Sequence, residues 1–385
     1  MWLASGLPGF CGLGLTMLAL AARSSQLDAE PSSALSAASA VTSHNIVERP
    51  AEPASPWPCP GGFASECVND YLKLARRSGP QGEDRARCRV QVADELALLH
   101  AQPPQGQFQD EPPLPAAQLG AEIRAALSLD ELTALRGEQP LAVISHSVVS
   151  KPAGFAVEKL FLEAEPVGRV PLVVLRPEQH SGPLPVVLAL PGHNTEAEDF
   201  LAETFPNVMS QGYMVVTPTF RGYHGAEIEH QVSVELLCAG RSFLGVRHFE
   251  VLLILEYLRA LQARGEAGPI ALLGHSGGAG IANAMLWYQS ADLVAVASDL
   301  VSNYLNVSYP TTATGAPEFG KTRVMCESNA ALHKLAVPIS NFGIAPVPVG
   351  QWPYGYTRGR EFLWRFLGDH FARADNLPGV TDSMR

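Results

Sequence analysis

The chain has 385 residues, of which 46% are hydrophobic, and this is enough for one large domain with a sizeable core. Its 38 acidic side chains outnumber the 27 Lys and Arg side chains, so the formal net charge at pH 7 is -11. An acidic chain without a basic stripe is not expected to bind nucleic acid, and we interpret the surplus of acidic residues as a contribution to solubility.

Residues 1–22 contain no charged side chain and end in the small residues Ala19, Ala21 and Ala22. This pattern is typical of a signal peptide with its cleavage site, although the usual basic residue at the start is missing. A retained membrane anchor is the alternative, because about 20 apolar residues can span a bilayer. We therefore expect a secreted or periplasmic protein, which contacts a membrane only if the leader is retained.

Residues 23–117 are predicted to be a partly disordered N-terminal segment that precedes the folded domain. Residues 23–58 are rich in Ala, Ser, Pro and Glu, and a second proline-rich stretch covers residues 101–115. The part between them contains Cys59, Cys67 and Cys88. In an oxidising compartment we expect a disulfide between two of these three, and we expect Cys238 to be a buried thiol.

Residues 118–373 are predicted to form one α/β domain, followed by a C-terminal tail over residues 374–385. An amphipathic helix is expected at 119–137, and apolar strands then alternate with helices. This alternation predicts a mostly parallel central sheet with helices on both faces. The predicted strands cover 155–164, 170–177, 184–194, 213–222, 269–274, 293–301 and 335–344, and the helices cover 241–262 and 278–290.

The stretch "PIALLGHSGGAG" contains a G-x-S-x-G motif around Ser276, between a predicted strand and a predicted helix. A serine hydroxyl becomes a nucleophile only when it is exposed to the substrate and served by a base. A tight strand-to-helix turn exposes it, and small residues such as Gly274, Gly278 and Gly280 let strand and helix approach each other. We predict a nucleophile elbow; the alternative is a glycine-rich turn that only packs a helix on a strand.

Acyl transfer also needs two main-chain N–H donors that face the developing oxyanion. One is expected from Gly277, directly after the serine. The other is expected from the loop "PGHN", at His193 or Asn194. The alternative for the His193 side chain is a packing role in the loop.

Residues 153–345 resemble the α/β-hydrolase superfamily, in particular its dienelactone-hydrolase and acetyl-xylan-esterase-like branch. The resemblance is carried by "PGHN", "PTFRGYHG", "GRSFLGVRHFEVLLILEYL" and "LLGHSGG". It implies the α/β-hydrolase fold and hydrolysis of small or sugar-linked acyl esters, without a metal or other cofactor. It also implies the chain order of a catalytic triad, which is serine, then an acid, then a histidine near the C-terminus.

The base of this triad is harder to find, because only His333 and His370 follow Ser276. His333 precedes the strand expected to carry the acid, and we interpret it as a surface histidine. His370 is the candidate base by chain order. The alternative is that it packs on one face of a helix with Leu363, Phe366 and Leu367.

The acid is also missing from its usual place, since no Asp or Glu lies between Glu327 and Glu361. Asp299, at the end of the strand after the elbow helix, is the candidate acid. The alternative is a strand-end Asp that accepts hydrogen bonds from nearby backbone N–H groups. Glu327 and Asp369 are further possibilities.

These features predict a serine esterase that acts on a small-molecule ester through an acyl-enzyme on Ser276. The alternative is a catalytically impaired binding protein on the hydrolase fold, without a complete triad. A triad rebuilt from unusual positions or a shortened C-terminal end would explain the missing residues. If His370 is not the base, the next candidates are His193, His224 and His275. Residues 221–225 are expected to rim the site.

Overall fold

A computed structural model gives the structure of the chain. The residues that it describes are 46–50, 66–101, 120–121, 123–125, 127–150, 154–192, 195–201, 212–221, 226–275, 277–289, 292–298, 335–336, 367–368 and 371–372.

The described part of the chain is built around a nine-stranded sheet with the order β1-β2-β3-β4-β6-β5-β7-β8-β9. Strands β2, β3, β4 and β6 pair in antiparallel fashion, and the other pairs are parallel. The strands are β1 (Val47–Pro50), β2 (Ala142–Ser150), β3 (Phe155–Ala164), β4 (Gly168–Pro177), β5 (Leu184–Leu190), β6 (Met214–Pro218), β7 (Ala267–Gly274), β8 (Ala295–Ser298) and β9 (Leu335–Ala336).

The principal helices of the described residues are α1 (Glu66–Ser78), α2 (Gly82–Ala101), α3 (Leu129–Arg136), α4 (Ala226–Cys238), α5 (Phe243–Ala263) and α6 (Gly277–Tyr288). Two apolar clusters cover the two faces of the sheet. The first contains Val186 and Leu188 of β5 and packs against α1, α3, α5 and α6. The second contains Val187 and Ala189 and packs against helical residues 197–201 and against Leu367 and Phe371. Successive side chains of a strand point to opposite faces, so β5 is buried on both sides.

The strand order, the antiparallel β4 and the turn between β7 and α6 confirm the predicted α/β-hydrolase fold. The register also places three strand ends at one edge of the sheet. Leu190 of β5 pairs with Gly274 of β7, and Leu188 pairs with Val216 of β6. Because these strands are parallel, the segments that follow them meet at this carboxyl edge, where α/β folds bind their ligands.

The strands predicted between 155 and 301 and the helices predicted at 241–262 and 278–290 are present, with shifted ends. Of the strand predicted at 335–344, only Leu335–Ala336 lies within the described residues. The helix expected at 119–137 is interrupted at Ser128, whose φ of 53° is left-handed. The break lies where the carbonyl group of Leu127 packs against Gly245 of α5. Helix α5 begins after Ser242, whose hydroxyl accepts a hydrogen bond from the N–H of Gly245 at 2.8 Å.

The N-terminal segment contributes more to the folded unit than its composition indicates. Strand β1 lies inside the stretch predicted to be disordered, and it pairs with β2, Val47 opposite Ala142. Tyr71 and Leu74 of α1 are buried in the first apolar cluster. The packed core therefore extends before residue 118, where the domain was predicted to begin, because α1 supplies apolar side chains that the sheet needs for cover.

The expected cysteine pairing within residues 59–88 is wrong for Cys88, which forms a disulfide with Cys238. Their Cα atoms are 5.8 Å apart, and they are separated by 150 residues in the sequence. Helix α2 packs on α4, and Val92 and Val234 lie beside the two cysteines in one small apolar cluster. Cys238 is therefore a disulfide partner and not the buried free thiol that was predicted. The leader and Cys59 lie outside the described residues, within which no helix has the length and apolar character to cross a membrane.

A buried ionic cluster joins α1, α5 and the end of β6. The Glu250 carboxylate accepts hydrogen bonds from the Tyr71 hydroxyl and from the guanidinium of Arg221. Its other oxygen accepts one from Arg247 Nη1 at 3.3 Å. The guanidinium of Arg221 also lies over the Tyr71 ring, 4.1 Å from its centroid. Burial raises the pKa of the Tyr71 hydroxyl, which stays protonated and donates to Glu250.

Arg221 therefore does not rim the site as predicted. Its exposed fraction is 2%, and its Nη1 donates to the carbonyl oxygen of Val167 at 3.1 Å. Burial has the largest single effect on the pKa of Arg221 and lowers it, but the charge and hydrogen bond of Glu250 together with the charges of Tyr71 and Asp70 outweigh burial and raise the pKa. The residues that follow, 222–225, lie outside the described part of the chain.

We expect Glu250→Ala to lower the free energy of unfolding by about 3–5 kcal/mol, because it leaves two buried guanidinium groups without their shared carboxylate. Glu48→Ala is the matched control. Glu48 is exposed and forms a surface ion pair with Arg264 at 3.7 Å, so its loss should cost less than about 1 kcal/mol. Urea unfolding of both variants measures the difference, and equal costs would contradict a structural role for the cluster.

Candidate active site

The turn between β7 and α6 has the geometry that the G-x-S-x-G motif predicts, although Ser276 itself lies outside the described residues. Strand β7 ends at Gly274, and α6 begins at Gly277. The N–H of His275 donates to the carbonyl oxygen of Leu190 at 2.9 Å, and the N–H of Gly278 donates to the carbonyl oxygen of His275 at 2.8 Å. Main-chain hydrogen bonds therefore fix His275 to the end of β5 and link Gly278 to His275.

Two glycines are required by the close approach of backbones at this turn. A Cβ added at Gly278 would lie 2.6 Å from the carbonyl carbon of Leu190 and 2.7 Å from the oxygen of Pro191. A Cβ added at Gly274 would lie 2.6 Å from the Cα of Ala279. Real Cβ atoms do not approach backbone this closely, so both positions exclude side chains. This is the crowding that the predicted elbow implied.

The two segments expected to form the oxyanion hole lie next to each other. Gly277 is buried at the first position of α6, where helix N–H groups have no partner within the helix. Leu190 and Pro191 begin the other segment and contact Gly278. His193 and Asn194 lie outside the described residues, so the contribution of His193 stays a prediction.

Past this loop, a short helix at residues 197–201 packs beside the elbow. The ring of Phe200 stacks on the ring of His275, with centroids 5.8 Å apart and an angle of 22° between the planes. Phe200 is 1% exposed and belongs to the second apolar cluster together with Leu273 of β7. The segment that follows β5 is thus attached to the elbow at a second place.

Glu196 is a titratable residue of this segment that the sequence reasoning missed. Burial raises its pKa from 4.5 to about 7, with further increases from the charges of Glu198 and Asp199 and an opposing effect from Lys159. Lys159 of β3 forms an ion pair with Glu198. The sequence signal for the shift was the acidic run "EAED" directly after "PGHNT", where three carboxyl groups share a short stretch.

The predicted acid, Asp299, lies outside the described residues, but its neighbour in the sequence is described. Ser298 ends β8 and pairs with Gly274, the last residue of β7. Strand β8 therefore ends at the carboxyl edge, level with the end of β7. This register is compatible with an acid at Asp299.

His370 also lies outside the described residues, and its neighbour Phe371 packs at the other end of the sheet. The ring of Phe371 lies 5.0 Å from the ring of Tyr213, the residue directly before β6. Met214 of β6 and Ile270 of β7 both pair with Val186 of β5, so they stand at the same height in the sheet. Tyr213, one residue before Met214, is therefore about five residues along the strand direction from Gly274 at the end of β7. At about 3.3 Å per residue this separation is roughly 16 Å. The role of His370 as the base for Ser276 stays a prediction.

A further histidine, His248, is buried in α5. Its Nδ1 lies 2.6 Å from the hydroxyl oxygen of Tyr288, and burial lowers its pKa to about 3. The imidazole is therefore neutral at physiological pH and links α5 to α6. The sequence pattern of α5 gives no sign that His248 is buried and not on the surface, so its burial was not predicted.

The sequence matches no family model and no curated protein, whereas several solved structures align with the chain. A protein from Bacteroides fragilis, provisionally assigned as an acetyl xylan esterase, aligns with a TM-score of 0.40 and 17% identity over 55% of this chain. Acetyl xylan esterase 1 from Thermoanaerobacterium aligns with a TM-score of 0.37 and 12% identity over 50% of this chain. A methylesterase aligns with a TM-score of 0.40 and 17% identity over 64% of this chain. The chain covers 61%, 60% and 54% of these three structures, respectively.

We expect Gly278→Ala to destabilise the protein by about 1–3 kcal/mol or more, because the added methyl group must displace the backbone at the end of β5. Gly268→Ala is the matched control, because Gly268 of β7 lies against Leu184 at the opposite end of β5. There the added Cβ would lie 3.2 Å from the oxygen of Leu184, and we expect a change within about 1 kcal/mol. Urea unfolding compares the two, and a harmless Gly278→Ala would contradict the crowding at the elbow.

The raised pKa of Glu196 predicts a specific dependence of stability on pH. Between pH 4.5 and about 7 the folded state binds the proton that the unfolded state has lost, so the free energy of unfolding falls as pH rises through this window. Glu196→Gln should flatten the curve in this window, whereas the same change at exposed Glu138 should leave its shape unaltered. Urea midpoints from pH 4 to pH 8 are measured for the wild type, Glu196→Gln and Glu138→Gln. If Glu196→Gln loses stability with rising pH as steeply as the wild type, the raised pKa of Glu196 is wrong.

Proposed function

We propose that the protein is a serine-dependent carboxylic-ester hydrolase of small or sugar-linked acyl esters, and that it acts through an acyl-enzyme on Ser276. The observation that carries the proposal is the elbow itself. Gly274 and Gly278 are packed so tightly against backbone that no side chain fits, and this crowding is what exposes the residue at the apex of such a turn. The names of the aligned structures are in keeping with an esterase.

The proposed reaction has two halves. In the first, a base takes the proton of the Ser276 hydroxyl while its oxygen attacks the ester carbonyl carbon, and the C–O bond to the alcohol breaks as the alcohol receives that proton. In the second, water attacks the acyl-enzyme, its proton passes to the base and then to Ser276, and the carboxylic acid leaves. Main-chain N–H groups of Gly277 and His193 are proposed to hold the oxyanion in both halves.

Asp299 is proposed as the acid that orients the base, on the strength of the register between Ser298 and Gly274. The base is proposed to be one of four histidines, His370, His193, His224 or His275. His370 is the candidate by chain order, but Phe371 packs against Tyr213 at the opposite edge. His193, His224 and His275 therefore precede it as candidates, and His275 adjoins Ser276 directly.

The contact of Phe371 with Tyr213 favours a second candidate function. If no histidine serves Ser276, the protein is a binding protein that keeps the hydrolase fold and the elbow but lacks the base. Phe371, the residue after His370 in the sequence, packs against Tyr213 directly before β6, and this contact is in keeping with the alternative.

An extracytoplasmic location is also proposed. It is supported by the apolar leader of residues 1–22 and by the disulfide between Cys88 and Cys238, since disulfides persist mainly in oxidising compartments. The proposed partner is a small-molecule ester.

We expect a fluorophosphonate probe to label folded wild-type protein at Ser276, because labelling requires an activated serine hydroxyl. Ser276→Ala is the control and should remain unlabelled. We expect His370→Ala to keep most of the labelling, because the chain beside it packs at the far edge. Mass spectrometry of the labelled peptide gives the site and the extent.

Two results would change these assignments. Wild-type protein that is folded but unlabelled would favour the binding-protein function. A loss of labelling in His370→Ala as complete as in Ser276→Ala would restore His370 as the base, since members of one triad act as a unit.

A further inference from the structure

Helix α2 is attached to α4 by a single stripe of side chains. The stripe contains Arg85, Cys88 and Val92, whose spacing of i, i+3 and i+7 places them on one face of a helix. Among the side chains of α2 that the structure describes, only Val92 is buried, and it packs against Val234 of α4. The other described side chains of α2 are partly or fully exposed, so most of its described surface faces solvent.

An ion pair and the disulfide complete this attachment. The Nε of Arg85 donates to one carboxylate oxygen of Glu235 at 3.0 Å, and Arg89 forms an ion pair with the other oxygen. The side chain of Arg89 is 49% exposed, so water screens its pair. Cys88 forms the disulfide with Cys238. Without that bond, one apolar contact and one shared carboxylate would hold α2 on α4.

The connection between α1 and α2 has the features of a hinge. Helix α1 is fixed because Tyr71 and Leu74 are buried in the first apolar cluster. A Cβ added at Gly79 would lie 3.3 Å from the Cα of Ala239, so the chain is still packed there. At Gly82, the first residue of α2, φ is 56° and an added Cβ would meet nothing within 4 Å. Rotation at this position moves α2 and leaves α1 in place.

The disulfide is accessible to a small thiol reagent in the folded protein. Cys88 and Cys238 are both partly exposed, and thiol–disulfide exchange requires access of a thiolate to one of the sulfurs. Arg85 lies one helical turn before Cys88, and Glu235 lies one turn before Cys238. Together with Arg89, the local charges are two positive and one negative, and a surplus of positive charge favours a departing thiolate.

We infer that the disulfide between Cys88 and Cys238 is a reversible tether of α2, which a dithiol opens. One thiolate of the dithiol attacks one sulfur of the bond, and the other cysteine leaves as a thiolate and takes up a proton. The second thiol of the dithiol then displaces the first cysteine and closes a disulfide within the reagent. Two electrons pass from the dithiol to the protein. Helix α2 then leaves α4, whereas α1, α4 and the sheet keep their positions.

Release changes both helices of the pair. Most of the stability of a helix in a protein comes from tertiary packing, so α2 loses helical structure once it leaves α4. On α4, Val234 and Leu237 lose the cover that Val92 gives them. The tether operates whether or not Ser276 hydrolyses an ester.

The first test measures amide hydrogen exchange of the full chain before and after incubation with dithiothreitol. We expect exchange in residues 82–92 to rise at least about tenfold and to come within about tenfold of an unstructured peptide. Peptides from β5 and β7 should stay protected at least about a hundredfold. Unchanged exchange in α2 would overturn the inference. So would an equal loss of protection in α2 and in the sheet, because the bond would then hold the whole fold.

Two variants assign the effect to this bond, since dithiothreitol acts on any disulfide in the chain. The double variant Cys88→Ser with Cys238→Ser should show fast exchange in α2 without reductant. The double variant Cys59→Ala with Cys67→Ala should respond to dithiothreitol as the wild type does. Slow exchange in the first variant, or a lost response in the second, would contradict the tether. If the first variant does not fold, the reduced wild type decides alone.

The second test asks whether the bond opens and closes in the folded protein. The wild type is treated with dithiothreitol in the absence of denaturant, and the new thiols are alkylated and located by mass spectrometry. We expect alkylation at Cys88 and Cys238. Replacing the reductant with oxidised glutathione should restore the bond and the slow exchange of α2. A bond that is reduced only in urea, or that does not form again, would show that it is not a reversible tether.

Discussion

At the candidate site the backbone of α6 touches the backbone of β5 with no side chain between them, and the arrangement of the carboxyl edge depends on this contact. Gly278 lies against Leu190 and Pro191, and the N–H of His275 donates to Leu190. A larger residue at 278 would push helix and strand apart and break that hydrogen bond. Because the contact is between main chains, it fixes the start of α6 and the loop after β5 in one frame, as a pair of oxyanion donors requires.

On the face covered by α1, α3, α5 and α6, the structure uses charge as well as apolar packing. Glu250 is shared by Tyr71 and two arginines, so one carboxylate holds a residue of the N-terminal helix, one of the chain after β6 and one of its own helix. Buried ion pairs add little net stability over apolar packing, but they tolerate few alternative partners. The cluster therefore specifies the position of helix α1 on the domain. Apolar contacts alone would define that position less closely.

The parts of this fold that were predicted from the sequence are those that depend on local sequence patterns. The strands from 155 to 274, the long helix α5 and the glycines around Ser276 follow from runs and spacings within about 20 residues. The missed features depend on residues far apart in the chain. Strand β1 pairs with β2, the N–H of Val47 donating to the carbonyl oxygen of Leu141, while Cys88 forms a disulfide with Cys238 and the ring of Phe200 stacks on that of His275. No local pattern encodes such pairings, and for the same reason the acid and the base of Ser276 could not be fixed.

The disulfide has a consequence for the way the chain is made. A ribosome delivers Cys59, Cys67 and Cys88 well before Cys238, which lies 150 residues beyond Cys88. During that interval the three early thiols can react with one another, with Cys11 or with oxidants, but not with Cys238. The native bond therefore has to wait for helix α4 or be recovered by exchange from an earlier bond, and thiol–disulfide exchange is slow without a catalyst. A host that supplies disulfide isomerase is accordingly the suitable source of correctly paired protein.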